Sequence, residues 1–454
     1  MKWARIIGGV LFGAVAGGLA ALSGFAEPIV WTIAITALTA AFWMTEAIPI
    51  PAASLIPFFA FPLSGVLDER EAARALGSFV IILLMASFML SKSLERSGAH
   101  ERLALYMIRL VGTSGKSVIL GFMFAAAILS MWISNSATTL MLSTMALAIL
   151  AREGDKRLAA PLLLGIAYAS SLGGTGTLIG TPPNLIFADA YLKATGEEYS
   201  FVRWMKVGAP IVAIGVPLMG LWLTRNLKDV TAPNLPDAGP WRKDEARTLM
   251  VFAGAMFFWI TRTEPFGGWS GLLNMPGAGD ATVAVAAVVV MFLIPNGKGG
   301  ALLDWKAAGD IPWGMLLLFA GGICIASAFR ASGLDAVIGD GLAGVADFPV
   351  FWMMLGICLA VTFLTEITSN TATANLLMPV LAAVAVGAGL APELLMIPAV
   401  VSCSCAFMLP VATAPNAIIY ATERVTIAQM SREGLVLNLI VALVVASVCY
   451  VVLG

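Results

Sequence analysis

Charge is scarce in this sequence. Asp, Glu, Lys and Arg make up 12% of 454 residues, where a soluble domain carries about a quarter. So few charges cannot cover a solvated surface, and this excludes a soluble enzyme or binding module. Histidine occurs once, at His100, so no His-based metal centre and no His-Glu-x-x-His protease site can be built. Cys324, Cys358, Cys403, Cys405 and Cys449 stand in apolar stretches without partners at metal spacing, and read as small buried residues. The net charge of -1 comes with no basic tract for nucleic acid. Gly112-Thr-Ser-Gly-Lys-Ser117 approaches a phosphate loop, but the required first glycine falls on Leu110, which excludes that ATPase motif. Long polar stretches are missing too. The longest runs from about Asn226 to Arg247.

What remains is apolar. Hydrophobic residues make up 59% of the chain and the mean hydropathy is +0.92. Runs of about 20 apolar residues recur along it, the length that crosses a bilayer as a helix. The fold class is therefore an all-α polytopic membrane protein. Residues 1–25 form a first transmembrane helix. The run from Ile6 to about Ser23 is longer than a signal-peptide core. Further spans are expected near 29–50, as a short third one ending near Val66, from Ser78 to an interruption at 92–100, and at 207–223. Later ones fall near 247–261, 281–295, 312–330 and 435–453.

Between these spans a tripeptide occurs twice. Ser134-Asn135-Ser136 and Ser369-Asn370-Thr371 lie 235 positions apart, and Ser130 with Thr365 keeps the same offset. Downstream, Thr181-Pro-Pro-Asn184 matches Thr413-Ala-Pro-Asn416 at an offset of 232. Each tripeptide sits in the middle of a long apolar stretch. A straight helix over 118–150 would be about 50 Å long, too long for a hydrocarbon core of about 30 Å. Two half-helices with a polar tip fit better, as re-entrant hairpins at 117–150 and 349–388. Glycine and proline then predict broken helices at 159–191 and 394–421. A lone Ser-Asn-Thr would read as packing between helices, but duplication with matching downstream motifs points to paired sites.

This pattern gives about eleven transmembrane helices plus two re-entrant hairpins, with repeats at 26–226 and 247–454 and a cytoplasmic linker at 227–246. Five crossings separate equivalent elements, so the repeats are inverted, an arrangement of secondary transporters. Placing the N-terminus in the cytoplasm and the C-terminus outside puts 19 of the 26 Lys and Arg on the cytoplasmic face, as the positive-inside rule requires.

Helix ends at such tips carry backbone groups without intrahelical partners. Their N–H groups favour an anion, while freed carbonyls with Ser, Thr and Asn oxygens suit a small hard cation such as Na⁺. Neither motif contains Lys or Arg, so helix ends and co-bound cations would neutralise the anion.

Taken together, the paired Ser-Asn-Ser/Thr motifs, Gly180-Thr-Pro-Pro-Asn184, Ala412-Thr-Ala-Pro-Asn416 and the early Trp43-Met-Thr-Glu-Ala-Ile-Pro49 resemble the divalent anion/sodium symporter (DASS) family over nearly the whole chain. The resemblance implies an inner-membrane homodimer with scaffold and transport domains working as an elevator. It implies import of C4-dicarboxylates, citrate or sulfate with Na⁺ as coupling ion. Carried over by position, one Na⁺ site would use Ser130, Ser134, Asn135 and the Gly180 carbonyl. The other would use Thr365, Thr368, Asn370 and the Ala412 carbonyl. Substrate would meet Asn135, Ser136, Thr181, Asn370, Thr371 and Thr413. Ser136, where the family usually has Thr, and Ala414, where proline is common, depart from the pattern. A Na⁺-independent exchanger and an anion channel are the rival functions. Glu366, beside the second motif, is either a proton site or a satisfied structural carboxylate, and Glu46 reads as structural. His100 is expected on a solvated face.

Overall fold

The computed structural model describes residues 2–112, 115–153, 157–227, 239–264, 266–341 and 348–454. Among them the fold is helical, without strands, apart from one isolated bridge between Pro295 and Ala301. Seven helices are long and apolar enough to cross a membrane.

The chain begins with α1 (Lys2–Leu22) packed along α2 (Glu27–Thr45). Prolines then break the run into α3 (Ile50–Ala53) and α4 (Ile56–Ser64), so the expected third span is two short pieces. Asp68 opens α5 (Glu69–Arg74) with a reciprocal cap: its carboxylate accepts from Glu71 N at 2.7 Å, and the Glu71 carboxylate accepts from Asp68 N at 2.8 Å. Next comes α6 (Phe79–Ser97), which runs unbroken through Lys92. The interruption expected at 92–100 is one residue, Gly98, whose φ of 74° ends the helix in the left-handed conformation that glycine tolerates.

After Gly98, α7 (Ala99–Val111) turns away, and α8 (Gly115–Ser130), α9 (Asn135–Glu153), α10 (Ala159–Gly173), α11 (Pro182–Thr195) and α12 (Phe201–Thr224) follow. His100 is buried, with its ring Nδ1 3.0 Å from the Leu94 carbonyl oxygen. The expectation of a solvated face was wrong, because the first turn of α7 folds back under the end of α6. Arg102 is buried as well. Its Nε lies 2.9 Å from Glu245 Oε2, and its other nitrogens donate to the Gly239 and Pro240 carbonyls, both at 2.8 Å.

The second half contains α13 (Lys243–Ile260), α14 (Gly268–Leu272), α15 (Asp280–Leu293), α16 (Trp305–Gly309) and α17 (Trp313–Ser332). It continues with α18 (Leu334–Gly341), α19 (Val350–Thr365), α20 (Asn370–Gly387), α21 (Glu393–Ser402), α22 (Ala414–Tyr420) and α23 (Ile427–Leu453). Residues 228–238 of the expected linker lie outside the described residues.

From α5 onward the halves correspond element by element. Asp304 caps α16 through Ala307 N at 2.9 Å, as Asp68 caps α5. Gly333, φ 79°, ends α17 as Gly98 ends α6. The halves also interlock. Helices α2, α3 and α4 pack on α17, while α13, α15 and α16 pack on α6. In the same crossed manner α9 packs on α22 and α11 on α20, and α12 meets α23. Helix α10 is buried nearly all round, which explains why it is apolar on every face.

Some contacts break the correspondence. Lys193 reaches from α11 to α17, with Nζ 2.8 Å from the Ile323 carbonyl and 3.2 Å from Ser327 Oγ. Its counter-ion is Asp189 on its own helix, at 3.1 Å. At the offset of 232, the equivalents of Asp189 and Lys193 are Ala421 and Val425.

Candidate functional site

Both tripeptides lie at a helix start. Helix α8 ends at Ser130 and α9 begins at Asn135; α19 ends at Thr365 and α20 begins at Asn370. The side chains that flank each gap are joined. Ser130 Oγ donates to Asn135 Oδ1 at 2.5 Å, and Thr365 Oγ1 donates to Asn370 Oδ1 at 2.6 Å. Ser130 and Thr365 are fully buried, so these contacts tie each turn together from behind.

The two breaks are braced by the asparagines of the downstream motifs. Asn184 Nδ2 donates to the Gly174 carbonyl at 3.1 Å and the Thr177 carbonyl at 2.8 Å. Asn416 Nδ2 donates to the Ala406 and Leu409 carbonyls, both at 3.0 Å. Each side chain therefore takes up two carbonyls that an interrupted helix leaves without partners. The sequence motif marks these asparagines; their bracing role had no signal in it.

Beyond the asparagines, the two breaks are stabilised differently. Glycines let the first tighten into a short 3-10 turn, Gly174–Gly176, and Trp204 Nε1 donates to the Thr175 carbonyl at 2.8 Å. The second, Cys403 to Thr413, has no such turn. Its backbone N–H groups, left without helical partners, point at Glu366. The carboxylate accepts from Phe407 N at 2.8 Å, Met408 N at 2.9 Å, Leu409 N at 3.1 Å and Asn438 Nδ2 at 2.8 Å. Every one of these contacts uses Glu366 as an acceptor, which fits a structural carboxylate. The equivalent position, Met131, packs its side chain against Gly176.

Oxygen atoms converge at the first tip. A methyl group on Gly174 would stand 2.7 Å from Asn135 Oδ1 and 3.1 Å from the Gly180 carbonyl oxygen. One on Gly180 would stand 3.0 Å from the carbonyl oxygens of both Ser130 and Met131. Only glycine leaves this space clear, and the donor set is hard and uncharged, which suits an alkali cation rather than a transition metal. Among the described residues, no group of three or more His, Cys, Asp or Glu is placed to hold a metal. Motif reasoning anticipated Ser130, Asn135 and Gly180 here, but not Gly174 or the Met131 carbonyl. Thr368 differs from the other expected ligands: its hydroxyl is engaged with the Leu364 carbonyl at 2.9 Å and Thr373 Oγ1 at 2.7 Å.

A single cavity of about 850 Å³ lies between the tips. Asn135, Ser136, Thr181, Asn370, Thr371 and Thr413 all line it, with Ser134, Gly180 and Ala412. Those six side chains come from both halves of the chain, and the first residues of α9, α11, α20 and α22 all face the same space. Helix N-termini carry partial positive charge and free N–H donors, so the chemistry of the cavity is that of an anion site without a salt bridge in the motifs.

A family model described as citrate transporter matches residues 40–396. The sodium-dependent dicarboxylate transporter SdcS of Staphylococcus saprophyticus is 37% identical over 93% of this chain and 85% of its own. Its namesake in Staphylococcus aureus is 36% identical over 93% and 86%. Among solved structures, the YdaH transporter of Alcanivorax borkumensis superposes with a TM-score of 0.60 at 16% identity, covering 94% of this chain and 98% of that one. MtrF of Neisseria gonorrhoeae superposes at 0.53 with 13% identity, covering 93% and 94%. Those two likenesses speak for the fold alone, whereas the family match and the Staphylococcus relatives bear out the resemblance read from the motifs. This chain belongs to the citrate transporter family and is a transporter, not an enzyme.

Proposed function

We propose that this protein imports C4-dicarboxylates such as succinate, malate and fumarate across the inner membrane, coupled to Na⁺. The observation that carries the reading is the shared cavity, where both tripeptides, Thr181 and Thr413 meet four helix starts. Its volume of about 850 Å³ falls in the usual range for small-molecule sites, with room for a C4 dianion. The names of the Staphylococcus relatives support both the substrate class and Na⁺.

In this reading Asn135, Ser136 and Thr181 hold one carboxylate, and Asn370, Thr371 and Thr413 hold the other. Ser130, Ser134, Asn135 and the Gly180 carbonyl form one Na⁺ site; Thr365, Thr368, Asn370 and the Ala412 carbonyl form its partner. Bound Na⁺ supplies positive charge beside the anion. The hairpins and broken helices move together as a transport domain against a scaffold, within a homodimer whose N-termini lie in the cytoplasm. Since the positive-inside count assigns Lys92 to the cytoplasmic face and Lys92 lines the cavity, this reading has the cavity open towards the cytoplasm.

The test is uptake of labelled succinate into proteoliposomes, with and without an inward Na⁺ gradient. Accumulation in empty vesicles that requires Na⁺ is the expected result. Uptake that needs internal dicarboxylate and ignores Na⁺ would make the protein an exchanger. Transport of citrate or sulfate but not succinate would change the substrate and leave the site.

A further inference from the structure

We infer that Lys92 is the specificity-determining cation of this cavity, the group that distinguishes a divalent anion from a monovalent one. The inference rests on the reading of the cavity as an anion site.

Among the described residues, Lys92 is the only Lys or Arg in the cavity wall. It lies on α6, outside both duplicated motifs, on a face that also presents Ser87, Ser91 and Glu95 to the cavity. Ser87, Ser91 and Glu95 are spaced by four residues and Lys92 lies three before Glu95, so they form one polar stripe along the helix. Opposite the stripe, Asp310 stands just ahead of α17. Lys92 Nζ is 3.1 Å from Glu95 Oε2 and 3.6 Å from Asp310 Oδ2. The Asp310 side chain is 84% exposed, so its hold on Lys92 is weak by the standard of solvated pairs.

This arrangement is suited to exchange of partners. The tips hold an anion through dipoles, hydroxyls and amides, which respond to one carboxylate as readily as to another. Bound Na⁺ favours any anion beside it; a second negative charge gains further where a side-chain cation faces the same cavity. Lys92 is that cation, and Asp310 occupies its open side until a substrate carboxylate replaces it. Ser91, next to Lys92 in the chain, and Ser87, one turn before Ser91, add hydroxyls to the same cavity wall. The duplication supports a role beyond packing: at the offset of 235 the equivalent of Lys92 is Ser327 on α17, so the cation belongs to one copy only.

The experiment is equilibrium binding to the full-length protein in detergent with saturating Na⁺. The probes are succinate, citrate, sulfate and the monocarboxylate butyrate. For each divalent or trivalent anion that binds the wild type, Lys92→Gln weakens affinity about tenfold and leaves butyrate unchanged, while Lys92→Arg stays within about threefold of wild type. Asp310→Asn, by removing the competitor, tightens binding, and this gain disappears in the Lys92→Gln/Asp310→Asn double variant. A purely structural network would lose affinity in both single variants, and that outcome overturns the inference. So does a folded Lys92→Gln protein that binds as wild type; in that case the site reading stands. A wild-type protein that binds none of the anions overturns the site reading and this inference together.

Discussion

Thr365 Oγ1 lies 2.6 Å from Asn370 Oδ1, across the turn that joins two helices. Ser130 and Asn135 repeat the contact at 2.5 Å in the other half. Each asparagine is thus held by a buried hydroxyl while its residue lines the cavity. Asn135→Ala and Asn370→Ala should each abolish succinate uptake in a protein that still folds and inserts. Thr365→Ser should keep uptake, and Thr365→Ala should raise the Na⁺ concentration needed for half-maximal rate. Normal uptake by a folded Asn370→Ala protein would remove that residue from the site.

The braces at the breaks are a matter of stability. Asn184→Leu leaves the Gly174 and Thr177 carbonyls without their donor. An unsatisfied buried group costs about 1–3 kcal/mol, so a loss of about 2–4 kcal/mol is expected. Asn416→Leu should behave alike. Thermal unfolding in detergent reads both, and an unchanged midpoint would show that water replaces the side chain at no cost.

Glu366→Gln is a sharper change than its size suggests. It puts an amide NH₂ where one of two acceptors stood among four N–H donors. The variant should lose stability by about 2–4 kcal/mol, as for breaking charge-assisted hydrogen bonds. In wild-type vesicles an imposed proton gradient, at fixed Na⁺, should not drive uptake. Proton-driven accumulation that Glu366→Gln abolishes while remaining folded would restore the proton-site reading.

Lys193→Met strands the Asp189 carboxylate, whose side chain is only 8% exposed. Removing one partner of a buried pair costs about 3–5 kcal/mol, somewhat less here because Lys193 keeps 21% exposure. The Asp189→Asn/Lys193→Met double variant should regain most of the loss. If the single and double variants melt together, the pair contributes packing rather than charge.

Much of the fold was legible in the sequence because a bilayer demands long apolar runs and tolerates breaks only where something satisfies them. The helix starts at Asn135 and Asn370 follow from the polar tripeptides, and the breaks follow from Gly173-Gly174 and Pro182-Pro183. The six cavity residues come from the family resemblance, carried over onto the duplicated motifs. Arg102 was harder, because a charged segment looks solvated until Glu245 and the Gly239 carbonyl arrive from more than a hundred residues away, and His100 because its partner, the Leu94 carbonyl, is brought to it only by the turn at Gly98. Glu366 was ambiguous for the same reason: its four donors come from 407–409 and Asn438, none of them marked by a motif. The first tip's carbonyl oxygens carry no side-chain signature at all, and Gly174 shows its purpose only when a methyl group is set against Asn135.

The bridge from Lys193 to Ile323 and Ser327 has no twin, since Val425 stands at the matching position. Two perfectly equivalent repeats would exchange roles at no net free energy, and both ends of a transport stroke would be equally populated at rest. An unmatched ion pair is one of the features that remove this equivalence. If the repeats exchange roles in the proposed transport stroke, this bridge is made at one end of it and has no counterpart at the other, so the empty protein would rest unequally between the two.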